Sequence, residues 1–130
     1  MTQDTHRRRV LVVEDEPVIS LICQKVLTAE GFDVNIAVNG LVAKKMVAEN
    51  SYDLCVSDIR TPLINGIQLY EYLKQEYPEL ARRIIFTTGD VLSGNIAQFL
   101  KESKRPYLLK PFTPDQLKQA VITAYTEIGI

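Results

Sequence analysis

An acidic triplet, a lone aspartate, a threonine hydroxyl and a lysine each follow directly on an apolar run of this chain. Val10 to Val13 leads into Glu14-Asp15-Glu16, and Leu54-Cys55-Val56-Ser57 leads into Asp58. Ile84-Ile85-Phe86 leads into Thr87-Thr88-Gly89, and Tyr107-Leu108-Leu109 into Lys110-Pro111. Singly, each has an ordinary explanation. The triplet could cap a helix and interact with its dipole, an aspartate often ends a strand, and a lone lysine is usually a surface group. Together they suggest chemistry. Glu14, Asp15 and Asp58 brought into one crevice would repel one another, at a cost in stability or a raised pKa. A hard divalent ion such as Mg2+ removes that conflict, because it takes oxygen ligands and is usually held by one or two carboxylates plus phosphate oxygens. A carboxylate is also a nucleophile able to form an acyl phosphate, and its attack on phosphorus needs the phosphoryl oxygens neutralised. Lys110 supplies a mobile positive charge, Thr88 a hydroxyl donor, and the backbone amides after Asp58 further donors.

For these groups to meet, the apolar runs must lie side by side and end at one edge. In an open parallel sheet, ligands bind beyond the carboxyl ends of the strands, where the strand order reverses. The rest of the pattern agrees with such a sheet. Arg9 to Glu14 reads as a strand buried on both faces, as parallel strands are. Pro17 suits the first turn of a helix with Asp15 or Glu16 as its cap; Ile19, Ile22, Cys23 and Val26 recur at helical spacing, and Gly31 ends it. Phe32 to Val38 is a second strand, Asn39-Gly40 a turn, and Leu41 to Asn50 a short helix. Leu54 to Asp58 is the central strand. A loop with Pro62 and Asn65-Gly66 leads to a helix bearing Leu69, Tyr70, Leu73 and Tyr77, ended by Pro78. Arg83 to Thr87 is the fourth strand, Ser93 to Ser103 a helix with Ile96, Phe99 and Leu100 on one side, and Tyr107 to Leu109 a short fifth strand. Thr113, Pro114 and Gln116 form a capping box for the last helix, whose inner face is Leu117, Ala120, Val121 and Ala124. A cis bond is an option at Pro111. Strand-helix alternation implies a parallel sheet covered on both faces, with right-handed crossovers. The expected fold is α/β: a doubly wound, five-stranded parallel sheet of flavodoxin-like order 2-1-3-4-5, which brings Glu14, Asp15 and Asp58 together.

The bulk numbers exclude several classes. The chain has 130 residues, enough for one domain, with 46% hydrophobic and 24% charged residues and a net charge of -1. That balance gives no global attraction to nucleic acid. Arg7-Arg8-Arg9 reads as a solvated lead-in, and His6 belongs to the same inert polar tail, expected over residues 1–8 before a domain at 9–130. The first nine residues lack the apolar core of a secretory signal. No apolar run approaches the roughly 20 residues of a membrane span. Cys23 and Cys55 read as buried thiols in a reducing, cytoplasmic setting.

Val12-Val13-Glu14-Asp15-Glu16, Asp58 with Pro62 and Gly66 after it, Thr88, and Lys110-Pro111-Phe112 together resemble the receiver domain of response regulators, the phosphoacceptor family of two-component signalling. The resemblance covers roughly Val10 to Ile128. It implies that Asp58 is the phosphoacceptor. Asp15 would ligate Mg2+ directly and Glu14 directly or through water, with the Arg60 backbone carbonyl as a further ligand. Thr88 and Lys110 would bind phosphoryl oxygens, and Tyr107 would be the aromatic switch that follows Thr88. The donor would be a phosphohistidine of a sensor histidine kinase or histidine phosphotransfer protein. The readout would be the face made by the helix near Ser93 to Ser103, the fifth strand and the last helix, offered to an unidentified output protein. A homodimer through that face is compatible with the sequence.

Thr61 stands where the family usually has Met, and Gly89 where it usually has Ala. Arg60 and Asp90 flank the pocket with opposite charges and are expected to pair across its mouth, at positions that tune dephosphorylation in this family. Two other readings stay open. A phosphatase with an aspartyl-phosphate intermediate would typically carry an acid-base Asp where Arg60 stands. A receiver-like interaction module without phosphorylation would be favoured by loss of Asp58, Lys110 or the acidic pair, all present here. The expectation is therefore a switch without turnover of a separate substrate. Because the sequence ends at Ile130, no DNA-binding output domain is expected within it. Phe86 to Asp90 resembles receivers attached to hybrid sensor kinases, which keeps a phosphorelay role open.

Overall fold

The computed structural model describes residues 8–91 and 93–127. The expected tail, with His6 and Arg7, lies outside them apart from Arg8. Five strands form one parallel sheet in the order β2-β1-β3-β4-β5. They are β1 (Arg9–Val13), β2 (Asp33–Ala37), β3 (Leu54–Asp58), β4 (Ile84–Thr88) and β5 (Tyr107–Leu109). Between them run α1 (Pro17–Ala29), α2 (Gly40–Glu49), α3 (Gly66–Glu76), α4 (Pro78–Ala81) and α5 (Gly94–Ser103), and α6 (Pro114–Glu127) follows β5.

Every residue of β3 and β4 is buried, which is why these strands read as continuous apolar runs rather than alternating ones. Alternate positions feed two cores. Val10, Val12, Leu54, Val56 and Ile85 pack with Cys23 and Leu27 of α1 and Leu117, Val121 and Ala124 of α6. Leu11, Val13, Cys55, Ile84 and Phe86 pack on the other face against α2, α3 and α5. There Phe86 meets Tyr70 and Phe99 edge-on, with centroids 5.8 and 5.1 Å away. Each fully buried aliphatic side chain contributes about 1.5–3 kcal/mol, so the site rests on a rigid base. Ile96 and Leu100 are buried and Phe99 is partly buried in that core. They are packing residues, and none of the three is an exposed contact.

Local signals explain most of the helix ends. Asn65 and Gln68 form a reciprocal capping box, as do Thr113 and Gln116. Gly31 takes the left-handed φ of 95° that ends α1. Two expectations need correcting. Asn39-Gly40 is a helix start and not a free turn, because the Asn39 side chain accepts from the Val42 amide at 2.8 Å. Pro78 does end α3, but it also opens the short α4, where its missing N–H costs nothing. The strands differ from expectation by a residue at some ends. The Lys110–Pro111 bond is cis.

Candidate functional site

β1 connects to β2 on one side of the sheet and β3 lies on its other side, so a crevice opens beyond the carboxyl ends of β1 and β3. Val13 pairs in register with Ser57, which sets Glu14 and Asp58 side by side one step further on, over the α1/α6 layer. The Glu14 amide still donates to the Ala37 carbonyl at 2.9 Å, and the Ile59 amide to the Thr87 carbonyl at 3.0 Å. The main chain at both positions is therefore held by the sheet ladder, and Glu14 and Asp58 are only 3% and 6% exposed.

Lys110 reaches the same point from β5. Its amide donates to the Thr88 carbonyl at 2.8 Å. Its Nζ lies 3.1 Å from Glu14 Oε1, 3.1 Å from Asp58 Oδ2 and 3.3 Å from Glu16 Oε1. An ammonium has three donors, and three carboxylates face it. Burial alone would lower the Lys110 pKa, but its hydrogen bonds to Asp58 and Glu14 outweigh that and hold it well above the ordinary lysine value. Burial pushes the Glu14 carboxyl up from its ordinary value, against the lowering influence of the Glu16 amide and Lys110. The Glu16 amide donates to Glu14 Oε2 at 3.1 Å.

Oxygens of Glu14, Glu16 and Asp58 lie within 4.8 Å of one another. An all-oxygen, acidic donor set of this kind fits a hard divalent cation. Asp15, expected in the set, is exposed and falls outside this group. Glu16, expected only as a cap, makes no side-chain cap hydrogen bond at α1 and turns to Lys110 instead. A glutamate two residues after Glu14 was the signal for it, but only the tertiary position of Lys110 gives it a partner.

The loop after Asp58 is held tightly. The Gly66 amide donates to the Ile59 carbonyl at 2.8 Å. A Cβ on Gly66 would come within 2.8 Å of the Asp58 carbonyl oxygen and the Ile59 Cα, so only glycine allows this approach. Thr61 Oγ1 donates to the Ile64 carbonyl at 2.8 Å.

The β4 side differs in character. The register pairs Asp58 with Thr87, so Thr88 belongs to the opposite, α5-facing side of the sheet. Its hydroxyl donates to the Asp90 carbonyl at 3.0 Å and accepts from the Asp90 amide at 3.1 Å. The Asp90 carboxylate accepts from the Ser93 amide at 3.0 Å and pairs with Arg60 at 3.1 Å, the expected bridge across the mouth. Tyr107 pairs in register with Phe86, on the same side as Thr88, and is 47% exposed. The structure thus gathers Glu14, Asp58 and Lys110 directly, pairs Arg60 with Asp90 nearby, and leaves Asp15 and Tyr107 exposed. A groove of about 560 Å3 lined by Arg60, Pro62, Asn65, Ser93, Asn95 and Ile96 lies on one flank. One of about 370 Å3 lined by Glu16, Ile19, Ile22, Lys110, Pro111 and Phe112 lies on the other.

With fold and site in place, comparison with known proteins gives the class: the chain belongs to the response regulator receiver domain family, whose model matches residues 10–122. It is similar to the probable transcriptional regulator ycf29 of Pyropia yezoensis, 34% identical over 109 residues, which cover 84% of this chain and 49% of that protein. It is also similar to the response regulator protein PilR of Pseudomonas aeruginosa, 30% identical over 118 residues, covering 91% of this chain and 26% of PilR. The chain thus spans about half the length, or less, of these curated relatives. Among solved structures, the receiver domain of the sensor histidine kinase PA1611 from Pseudomonas aeruginosa superposes with a TM-score of 0.80 at 26% identity. The match covers 93% of this chain and 99% of that one, and that structure has a magnesium ion coordinated in its active site cleft. The chain is a receiver domain of two-component signalling. Among the described residues, no helix is long and apolar enough to cross a membrane.

Proposed function

We propose that Asp58 accepts a phosphoryl group from a phosphohistidine of a sensor histidine kinase or histidine phosphotransfer protein, in a Mg2+-dependent reaction. The observation that carries this reading is the Lys110 ammonium held 3.1 Å from Asp58 Oδ2 inside a buried acidic pocket. The Asp58 carboxylate is fixed by β3, and Lys110 is in place to neutralise the charge of an arriving phosphoryl group. The nitrogen–phosphorus bond of the donor breaks, an Asp58 oxygen–phosphorus bond forms, and the leaving imidazole takes a proton from solvent. Glu14, Asp15, Asp58 and the Arg60 backbone carbonyl would hold Mg2+, with Glu16 close by. When bound, Mg2+ supplies further charge neutralisation for the phosphoryl oxygens.

The switch is an exchange of partners. The Thr88 hydroxyl leaves the Asp90 backbone for a phosphoryl oxygen, and Tyr107 on the same side of the sheet turns inward behind it. A local charge change then biases a bistable surface, formed by α5, β5 and α6, which an output protein or a second copy reads. Arg60 and Asp90, paired over the mouth, govern access of water to the acyl phosphate. No separate substrate is turned over, and the protein works in the cytoplasm beside its phosphodonor.

Incubation with acetyl phosphate and Mg2+, read by intact-protein mass, tests the proposal. The expected result is a gain of one phosphoryl group that is absent without Mg2+ and absent in Asp58→Asn. No gain with either acetyl phosphate or a phosphohistidine donor would favour the interaction-module reading instead.

A further inference from the structure

The row of side chains across the strand ends has a member that this chemistry leaves unused. Asp58 pairs in register with Thr87, and Thr87 with Leu108. Glu14, Asp58, Thr87 and Leu108 therefore cross the sheet on one face, the α1/α6 face, with Thr87 flanking the acceptor on the side away from Glu14. Thr87 is 2% exposed. Its hydroxyl is buried without a hydrogen-bond partner, a condition shared among the described residues only by Tyr125 at the far end of the molecule.

The surroundings make the hydroxyl conspicuous. Two residues back on the same strand and face stands Ile85, and the face is otherwise built from Val56, Leu117 and Val121. Valine has nearly the shape of threonine and would bury no polar atom here. A buried hydroxyl without a partner destabilises the state that contains it, and so favours any rearrangement that supplies one. Asp58 is the register neighbour of Thr87 on this face, and the Lys110 ammonium is bonded to the Asp58 carboxylate.

We infer that Thr87 is a positioning residue for phosphoryl transfer to Asp58, its hydroxyl donating to an Asp58 side-chain oxygen as Lys110 turns to the incoming phosphoryl group. In the state described, Lys110 divides its donors among Glu14, Glu16 and Asp58. Once its charge is drawn to phosphoryl oxygens, the Asp58 carboxyl loses a donor, and Thr87 replaces it. With acetyl phosphate, an Asp58 oxygen–phosphorus bond forms, the phosphorus–oxygen bond to the acetyl group breaks and acetate leaves. Thr87 keeps its proton and holds the carboxyl in line. The inference rests on Asp58 being the acceptor.

The test compares wild type, Thr87→Val and Thr87→Ser for the rate of phosphoryl uptake from acetyl phosphate with Mg2+, alongside thermal unfolding. Thr87→Val is expected to melt higher, having shed the orphan hydroxyl, yet to be phosphorylated about tenfold more slowly. Thr87→Ser is expected to recover most of the rate, although it loses a methyl group from the core. This opposition of stability and rate separates positioning from packing. Wild-type rates in Thr87→Val would overturn the inference. So would a slowed Thr87→Ser, since the hydroxyl would then not suffice. A wild-type chain that takes up no phosphoryl group is a separate outcome, which overturns the acceptor reading and this inference with it.

Discussion

The two sides of the crevice are built on different terms. Over α1 and α6, Glu14 and Asp58 are almost fully buried and tied by Lys110 at 3.1 Å each. Toward α5, the Arg60–Asp90 pair is largely in solvent, Tyr107 faces outward, and the Thr88 hydroxyl closes a local turn on Asp90. Buried charges are held by mutual need, because removing one partner strands the others in a poor dielectric. An exposed ion pair contributes only about 0–1 kcal/mol and can open at little cost. The first side suits chemistry that requires fixed charges, and the second suits a surface that must change state.

That contrast breaks most visibly at Lys110. Lys110→Ala leaves Glu14 and Asp58 buried without their cation, so unfolding in chelator is expected at a stability lower by about 3 kcal/mol, partly restored by Mg2+. Phosphoryl uptake in the same variant should fall by about 100-fold. Denaturation with and without Mg2+, together with intact mass, reads both effects. Equal stability in chelator would mean that the lysine is not the internal counter-ion.

Gly66→Ala probes the backbone beneath Asp58. The new methyl meets the Asp58 carbonyl, which should cost about 1–3 kcal/mol and slow phosphorylation through displacement of the Asp58 loop. A variant with wild-type melting and rate would show that this loop can yield. On the exposed side, Arg60→Ala should leave stability within about 0.5 kcal/mol while the acyl phosphate decays about threefold faster, a barrier change of about 0.6 kcal/mol. Unchanged decay, followed by mass after removal of the donor, would deny the bridge a role in water access.

The smallest effect is expected far from either side. Burial pushes the Cys23 and Cys55 thiols up to about 12, so neither should react with iodoacetamide at pH 8 in the folded protein, and both should react in denaturant. Their folded-state pKa values lie above the ordinary value of 9.0. Their contribution to stability is thus complete below pH 9 and is lost as pH rises toward 12. Modification of native protein at pH 8 would contradict the burial.

Strand order and the Asp58 and Lys110 positions were legible because fully buried parallel strands leave uninterrupted apolar runs with polar residues at their ends. Helix α4 was not, since Pro78 looks like a stop although proline is also suited to a first turn. Glu16 was hidden by an equally good capping role, and its link to Lys110 joins residues far apart in sequence. Thr87 was hidden by Thr88. Adjacent residues on a strand point to opposite faces, and a one-residue error in register exchanges them. Composition cannot tell which of two neighbouring threonines shares a face with Asp58, whereas the pairing of Asp58 with Thr87 does.

The central claim is that the buried side carries the covalent step. Borohydride reduces an aspartyl phosphate to the alcohol, leaving homoserine, so reduction after treatment with acetyl phosphate and Mg2+, then peptide mass mapping, locates the acceptor. The account predicts homoserine at position 58 alone, dependent on Mg2+ and nearly lost in Lys110→Ala. Homoserine at position 15 or 90 instead, or at 58 to the same extent without Lys110, would contradict it.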